Sequence, residues 1–345
     1  MAGRSRGVRA ILSLDSRLMS GTLPHSGAIP AIATNRRTFL RQATLAGTGC
    51  VAHVWLNAAC APRRQRQAWT APVNPVVSTT PFARLEAVGP DAWAVISTPT
   101  GGDRTTFANG GIVAGRSGVV VFEGFYRDAG ARWLAEEARR LTGRWPTYVV
   151  VSHYHVDHAS GLPGYAQDAG LPRVHCTDIT RRLALGGTPV APVRSAALER
   201  AFADVVVTSS REVSTIDLGN RVLQLMPFAG HTASDLTLHD EDAGLVWSGD
   251  LVWYRMFPNY VDADPRALAA SVQQLATRLR SARAVLVPGH GGLVRASAMT
   301  EYRALLDHVE AVARAGHAAG TPAQAAAASF AVPPALGEWM ASRVS

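Results

Sequence analysis

The 345-residue chain contains no lysine, only three cysteines and no long uninterrupted apolar run. Three cysteines are too few for the disulfide framework that holds small secreted domains together. No stretch reaches the roughly 20 apolar residues that a membrane-spanning helix needs. The hydrophobic fraction of 47% is that of a soluble globular protein. The length is enough for one large domain or two ordinary ones.

The net positive charge of the chain lies in its N-terminal part. Residues 1–67 carry ten arginines and one acid, Asp15, for a net charge of +9, whereas the remainder has 24 arginines and 25 acids, a net of −1. Because the body has no basic excess, we do not expect it to bind nucleic acid.

The N-terminal arginines include a pair, Arg36 and Arg37, followed by a weakly apolar stretch from about residue 43 to 59. This stretch is too short and too polar to span a membrane. The pattern is typical of a twin-arginine export signal, which we place at residues 1–61. It predicts the twin-arginine export machinery as a partner and a periplasmic or otherwise exported location. The alternative is a basic amphipathic helix of the mature protein.

The end of this segment, LNAAC, resembles a lipoprotein cleavage box that ends at Cys60, although Asn57 stands where that box has an aliphatic residue. Cleavage by an ordinary signal peptidase near Ala59 or Ala61 is the alternative. We therefore expect membrane association only if Cys60 is lipidated. Cys176 lies in a predicted strand and is interpreted as a small buried hydrophobic residue.

The rest of the chain divides into three predicted parts: a Pro-rich linker at 62–81, a catalytic body at 82–320 and a tail at 321–345. The body begins with short β-type runs split by Gly, Pro and Asp. Helical patterns are predicted at 131–141, with Gly143 as the stop, from Pro265 with Asp264 before it, and at 300–319. Strands, a helix, strands again and a helix predict an α+β protein, an αββα sandwich.

Metal-ligand side chains follow a predicted buried strand at residues 149–151. The segment VVVSHYHVDHASG places His153, His155, Asp157 and His158 within six positions. In an extended chain His153 and His155 point the same way, whereas the adjacent Asp157 and His158 should point to different places. That arrangement suits two metals better than one.

Three later strand ends each supply one more ligand type: His231, Asp250 and His290, each directly preceded by glycine. A glycine there lets the backbone crowd a buried centre. Five histidines and two aspartates are too many for one zinc, which takes about four ligands. They fit two metals that share a bridging carboxylate.

This order of motifs resembles the metallo-β-lactamase superfamily over about residues 82–295. The resemblance implies the fold of that family and a division of the ligands between two metals, zinc in the first place, with iron or manganese also suited to the donors. The first metal would be bound by His153, His155 and His231, the second by Asp157, His158 and His290, and Asp250 would bridge them. An aspartate at the bridging position is similar to glyoxalase II, lactonases and related hydrolases. The run from Gly249 to Leu275 looks most like exported hydrolases associated with quinoprotein systems.

We therefore predict an exported dinuclear hydrolase that attacks an ester, thioester, lactone or amide with metal-bound hydroxide. Asp157 would also orient that hydroxide, and Arg255, near the predicted mouth with Tyr254, could favour a carboxylate-bearing small-molecule substrate. Asn109 and Glu123 receive no role, and Tyr154 is expected to pack against the sheet. The alternatives are a zinc β-lactamase and a mononuclear iron sulfur-oxygenase of the same fold.

Overall fold

A computed structural model of the chain describes residues 74–98, 102–167, 170–279, 281 and 283–340. The predicted export signal at 1–61 lies outside the described residues, as does the first part of the predicted linker. Among the described helices, none combines the length and the apolar character needed to cross a bilayer.

The first sheet has eight strands that pair in chain order. Its first five strands are antiparallel, and the last three continue the sheet in parallel. The strands are β1 Val76–Thr79, β2 Ala83–Gly89, β3 Ala92–Ser97, β4 Gly110–Ala114, β5 Val119–Phe122, β6 Tyr148–Val150, β7 Arg173–Thr177 and β8 Val206–Thr208.

The second sheet has five strands, and two further short strands pair separately as a ribbon. The strands in chain order are β9 Ser214–Asp217, β10 Val222–Phe228, β11 Asp235–Asp240, β12 Leu245–Trp247, β13 Trp253–Tyr254, β14 Val285–Val287 and β15 His290–Gly291. The sheet order is β14-β12-β11-β10-β9, and β13 pairs with β15 in parallel. The predicted hairpin of β11 and β12 is confirmed.

Seven α-helices are described: α1 Asp128–Thr142, α2 Val156–Ala159, α3 Asp178–Ala184, α4 Ala196–Ala201, α5 Pro265–Arg278, α6 Ala296–Ala318 and α7 Ala323–Ala328. Local signals in the sequence explain where two of them begin or end. Gly143 ends α1 in the left-handed conformation, with a φ of 75°, which glycine adopts without a steric penalty. The Asp264 side chain accepts hydrogen bonds from Arg266 N and Ala267 N at the start of α5.

Three apolar layers hold these elements together as an αββα sandwich. Alternation along β5 shows how one strand serves two of them: Val119 and Val121 face the helical layer on the first sheet, and Val120 and Phe122 face the second sheet. The third layer joins the outer face of the second sheet to α5 and α6. The predicted fold class is confirmed. Cys176 is fully buried in the first layer, as predicted.

Described elements extend across two of the predicted domain boundaries. The linker at 62–81 overlaps β1, which pairs antiparallel with β2. The Pro-rich surroundings concealed this strand, but proline is compatible with an edge strand, where the backbone N–H has no partner. The predicted tail at 321–345 also belongs to the body as far as it is described. Trp339 packs against Tyr302 and Tyr254, and Met340 pairs with Met256.

Candidate metal centre

The candidate ligands lie where strands end. His153 follows β6, His231 follows β10, Asp250 follows β12, and His290 begins β15 shortly after β14. The strands β10 and β12 both run antiparallel to β11, and β14 is parallel to β12. Their carboxyl ends therefore share one edge of the second sheet, where loops can bring side chains together.

The structure brings all seven predicted ligands together in two buried groups. One group consists of His153, His155, His231 and Asp250, and the other consists of Asp157, His158 and His290. Within each group the candidate ligand atoms lie within 4.8 Å of one another.

Asp157 and His158 occupy the same group, so the expectation that they point to different places is wrong. They lie in the short helix α2 rather than in an extended segment. In a helix, successive side chains are about 100° apart, not on opposite faces as in a strand. One turn can therefore direct both side chains toward a common point.

Asp250 connects the two groups through its two carboxylate oxygens. Its Oδ2 lies 3.2 Å from His231 Nε2 and 3.8 Å from His153 Nε2. Its Oδ1 lies 3.2 Å from His158 Nε2 and 3.3 Å from His290 Nε2. Each oxygen therefore faces a different group, the arrangement that a bridging carboxylate requires.

The second ring nitrogen of three histidines is held by a neighbouring side chain. Ser152 Oγ lies 2.8 Å from His153 Nδ1, and Glu123 Oε1 lies 3.0 Å from His158 Nδ1. Asp262 Oδ2 lies 3.0 Å from His155 Nε2, which leaves the Nδ1 of His155 facing the centre. Such partners determine which nitrogen carries the proton and which is free to bind a cation.

Several buried polar atoms at the centre have no hydrogen-bond partner among the described residues: His153 Nε2, His158 Nε2, His290 Nε2 and Asp250 Oδ1. Buried polar atoms are normally satisfied, so such a convergence needs an explanation. The ion-pair contacts of Asp157 and Asp250 among the described side chains are with histidines. Divalent cations would satisfy these nitrogen and oxygen atoms and balance the buried negative charge, so the donor set fits metal ions.

The electrostatics differ between the two groups. Burial lowers the pKa of His231 to about 3 and holds that of His153 well below its ordinary value. At His290 burial acts in the same direction, but the carboxylates of Asp250 and Asp157 outweigh it and raise the pKa to about 9. Burial opposes ionisation of Asp250, yet the neighbouring histidines hold its pKa well below its usual range. The carboxylate is therefore ionised at neutral pH.

The glycines that precede the later ligands are required by close contacts. A Cβ at Gly289 would lie 1.9 Å from Asp250 Oδ1, and one at Gly249 would lie 2.7 Å from Ser152 Cβ. A Cβ at Gly230 would lie 2.4 Å from the Cα of Leu268. Gly289 and Gly249 therefore let the backbone lie close to the centre, as predicted, whereas Gly230 allows a close approach to helix α5.

Sequence reasoning missed three supporting residues. Glu123 and Asp262 contact His158 and His155, and the Asn109 side chain donates to the backbone oxygens of Pro288 and Gly291, at 2.9 and 2.8 Å, on either side of His290. The sequence did contain a sign of the role of Glu123, because it is a lone acid at the end of an apolar strand. In the structure its side chain is fully buried. Asp262 had no comparable signal, because its partner lies 107 positions away.

Arg255 does not reach the mouth of the site, so that expectation is wrong. Its guanidinium donates to Leu336 O at 2.9 Å, pairs with Glu301 and lies against the rings of Tyr254 and Trp339. The C-terminal segment occupies it. Tyr154 is buried in the first core layer, as expected, and its hydroxyl also donates to Asp262.

A pocket of about 420 Å³ opens beside the two groups. Its lining includes His155, Asp157 and Asp250 of the metal centre. The remaining lining residues are Arg104, Phe107, Tyr126, Val156, Pro189, Val190, Trp253 and Asn259. A small substrate in this pocket would meet candidate ligands of both groups.

Comparison with known families gives one match over more than half of the chain. Residues 104–290, which include all seven candidate ligands, match the model of the metallo-β-lactamase superfamily. The chain is 31% identical over 124 residues to acyl-coenzyme A thioesterase MBLAC2 of Gallus gallus and 30% identical over 132 residues to that of Homo sapiens. These alignments cover 32% and 34% of this chain and 43% and 45% of the relatives, so the chain spans less than half of their length.

Solved structures share the fold at low sequence identity. A metallo-β-lactamase from Pontibacter korlensis is similar with a TM-score of 0.53 at 20% identity, over 65% of this chain and 99% of that one. The sec-alkylsulfatase Pisa1 from Pseudomonas sp. has a TM-score of 0.58 at 18% identity, over 74% of this chain and 47% of that one.

Proposed function

Because the chain belongs to the metallo-β-lactamase superfamily, we propose that it is a metal-dependent hydrolase that binds two divalent metals and hydrolyses an ester, thioester, lactone or amide. Zinc is the first choice of metal, because imidazole and carboxylate donors suit it, and iron and manganese are the other candidates. His153, His155 and His231 would bind one ion, Asp157, His158 and His290 the other, and Asp250 both.

The observation that supports this proposal best is the division of Asp250 between the two groups. Its Oδ2 is 3.2 Å from His231 Nε2, and its Oδ1 is 3.2 Å from His158 Nε2. A mononuclear site would leave one group of buried ligands without a cation. Three acids are buried at the centre: Asp157, Asp250 and Glu123. Two divalent ions would neutralise this buried negative charge better than one ion.

Metals held there would lower the pKa of water from about 16 to about 7 and polarise the carbonyl oxygen of the substrate. Asp157 lines the pocket and would accept a hydrogen bond from the attacking water. Burial opposes ionisation of Asp157, but His158 and His290 lower its pKa, so it can act as an acceptor at neutral pH. Phe107 and Trp253 would exclude bulk water and pack against the apolar part of the substrate.

Among the four carbonyl classes, the thioester receives support from the curated relatives, which are acyl-coenzyme A thioesterases. A thioester also has a good leaving group, because a thiolate can depart without being protonated first. Attack by an activated water is therefore sufficient to cleave it. The apolar walls of the pocket suit an acyl group of moderate size.

Metal analysis of the purified protein, with the variant Asp250→Ala, tests the dinuclear proposal. We expect two metals per chain in the parent, one or fewer in the variant, and a loss of kcat/KM of at least about a hundredfold. Asp217→Ala is the matched control, because it removes the same charge at an exposed position. Unchanged metal content and rate in Asp250→Ala would contradict the proposal.

A substrate screen run on the same preparation separates the alternatives. Thioesters, esters, lactones and amides are compared with β-lactams. Preferential hydrolysis of β-lactams would favour the zinc β-lactamase. One iron per chain together with oxidation of a sulfur substrate would favour the mononuclear oxygenase.

We also propose export by the twin-arginine machinery, which rests on Arg36 and Arg37 in the sequence. Because the ligands extend from His153 to His290, the centre forms only in the folded chain. Replacement of both arginines by lysine should leave a full-length, metal-loaded enzyme in the cytoplasm, as measured by cell fractionation. Normal export of that variant would contradict the assignment.

Cleavage and lipid attachment are tested separately. If LNAAC is a functional lipid box, Cys60→Ser should release the protein from the membrane fraction. If cleavage occurs near Ala59 or Ala61 instead, the substitution should leave the distribution unchanged.

A further inference from the structure

The pocket beside the metal centre has one cationic side chain on its wall. The chain contains no lysine, and among the described residues that line the pocket Arg104 is the only arginine. The acidic side chains of the lining, Asp157 and Asp250, belong to the two candidate metal groups. Arg104 is therefore a positive charge of the pocket separate from the centre itself.

Arg104 keeps its hydrogen-bond donors free. In the described part of the chain its guanidinium has neither a hydrogen bond nor an ion pair, and its Cζ lies 5.0 Å from the centroid of the Phe107 ring. The nearest acid in sequence, Asp103, is engaged elsewhere: its Oδ1 accepts from Thr105 N at 2.9 Å and from Thr105 Oγ1 at 2.6 Å. By contrast, Arg255, which lies five residues after Asp250 in the sequence, is paired with Glu301.

Hydrogen bonds fix the two residues that directly follow Arg104 in the chain. The backbone oxygens of Thr105 and Thr106 accept hydrogen bonds from Arg127 N and Tyr126 N, each at 3.1 Å. Thr106 Oγ1 also donates to the backbone oxygen of Phe82 at 3.1 Å. These bonds hold the backbone next to Arg104, so the side chain extends from a fixed point of the loop.

Phe107 links this loop to the metal centre. It has a φ of 61°, a region that bulky residues rarely adopt, and its ring centroid lies 6.0 Å from that of His290. Backbone strain of this kind persists only where the surrounding structure imposes it, and it concentrates at functional sites. The Phe107 ring thus contacts both the guanidinium of Arg104 and the candidate ligand His290.

We propose that Arg104 binds an oxyanionic substituent of the substrate, so that the preferred substrate is a carbonyl compound that carries a carboxylate or phosphate away from the scissile bond. This inference rests on the proposed hydrolase function of the same site. A guanidinium offers a planar pair of N–H donors that matches either oxyanion. Phe107 supports the apolar face of the guanidinium and leaves its edge for the ligand.

The test uses the full-length, metal-loaded protein and three 4-nitrophenyl monoesters of matched length, which end in a carboxylate, a phosphonate or a neutral amide. Because Arg104 is exposed, we expect a preference in kcat/KM for an anionic ester of about three- to tenfold over the amide, mainly through KM. In Arg104→Ala this ratio should fall to about one, and in Arg104→Glu it should invert. The carboxylate and phosphonate esters identify which oxyanion is preferred.

Arg127→Ala is the matched control. Arg127 is exposed, lies against the Tyr126 ring at 5.9 Å and is not part of the pocket lining, so its loss changes the net charge by the same amount. The ratio should be unchanged in this variant. A parent ratio near one, or an equal ratio in the parent and Arg104→Ala, would overturn the inference.

A binding measurement separates this inference from the proposed function. Quenching of tryptophan fluorescence, with Trp253 in the pocket wall, reports binding of glutarate and of butyrate to the parent and to Arg104→Ala. If no ester is hydrolysed, the proposed function fails for these substrates, while a glutarate preference that is lost in Arg104→Ala still supports the anion site. Equal affinities for the two acids in the parent would overturn it.

Discussion

The protonation state of each histidine at the centre depends on the side chain that its outward-facing ring nitrogen contacts. Glu123 is fully buried and lies 3.0 Å from His158 Nδ1, so the proton of His158 is held on the outer nitrogen. Burial raises the pKa of Glu123, while His158 acts in the opposite direction. At His158 the carboxylates, Asp250 first, overcome the effect of burial and raise its pKa well above the ordinary value. The buried carboxylates around His158, including Glu123, therefore favour a positive charge at this position of the centre.

Glu123→Gln removes the charge of this partner and keeps a hydrogen-bond acceptor. We expect the affinity for the second metal to fall by about ten- to a hundredfold, because His158 becomes a weaker donor. Competition with a chelating dye measures this affinity. The control is Glu199→Gln, at an exposed position where Glu199 pairs with Arg194. Equal affinities in Glu123→Gln and the parent would contradict a supporting role for Glu123.

A second prediction at this scale concerns His239, which lies away from the centre. Burial lowers its pKa to about 3, and Arg278 acts in the same direction. Because the unfolded chain has the ordinary pKa near 6.5, it binds the proton first as the pH falls, and the folded state loses stability below about pH 6.5. Between pH 7 and 5 this loss amounts to about 2 kcal/mol.

His239→Gln should remove that part of the pH dependence. We expect the difference in unfolding free energy between parent and variant to change by about 2 kcal/mol between pH 7 and pH 5. Urea unfolding of the metal-free proteins measures it without interference from metal release, and His317→Gln, at an exposed position, is the control. Parallel stability curves for the parent and His239→Gln would show that the buried ring does not cause the effect.

At the scale of elements, the centre is built from strand ends and the turns after them. Each of the glycines that precede the later ligands is in close contact: Gly230 with the backbone of Leu268, Gly249 with the side chain of Ser152, and Gly289 with Asp250 Oδ1. The short helix α2 adds Asp157 and His158 from one turn. The loop between β3 and β4 contributes Asn109, which holds the backbone on either side of His290. Close packing between turns therefore determines the positions of the ligands.

Gly289→Ala should disturb this packing directly. The added methyl group would meet Asp250 Oδ1 at 1.9 Å, so the carboxylate must move out of its bridging position. We expect a loss of about 1–3 kcal/mol in stability, measured by urea unfolding, together with reduced metal content. Gly292→Ala is the matched control, because nothing lies within 4 Å of a Cβ there. Full metal content in Gly289→Ala would show that Asp250 tolerates the shift.

At the scale of the whole molecule, binding of metal and folding are coupled. The candidate ligands come from both sheets and from the turns between residues 153 and 290. Three apolar layers hold those elements in place, and the C-terminal segment covers Arg255 and packs on Tyr302 through Trp339. Because the unfolded chain lacks a preformed site, metal binding should add directly to the stability of the folded state.

Removal of metal should therefore lower the stability of the whole molecule. At a free zinc concentration one hundred times the dissociation constant, each site adds about 2.7 kcal/mol to the free energy of unfolding. Calorimetry in zinc buffers, before and after dialysis against a chelator, measures the shift in Tm. Asp250→Ala should show a smaller shift. A Tm that does not depend on zinc would contradict the proposed centre.

The sequence alone was sufficient for the architecture and for the set of candidate ligands that the structure brings together. Buried strands without alternation, the stop at Gly143 and the N-cap at Asp264 are local signals, and the structure confirms them. The segment from His153 to His158 and the glycine before each later ligand are also local. Such features depend on neighbouring residues in the chain, so they can be interpreted without knowledge of distant contacts.

The tertiary structure decided which side chains meet. The helical turn places Asp157 and His158 in one group, although an extended segment was expected. Arg255 turns toward Glu301 and the C-terminal segment, while Arg104, which the sequence did not single out, lines the pocket. Asp262 reaches His155 across 107 positions of the chain. These contacts arise from the packing of segments distant in sequence, and the free energy that selects them is a property of the assembled core rather than of any local pattern.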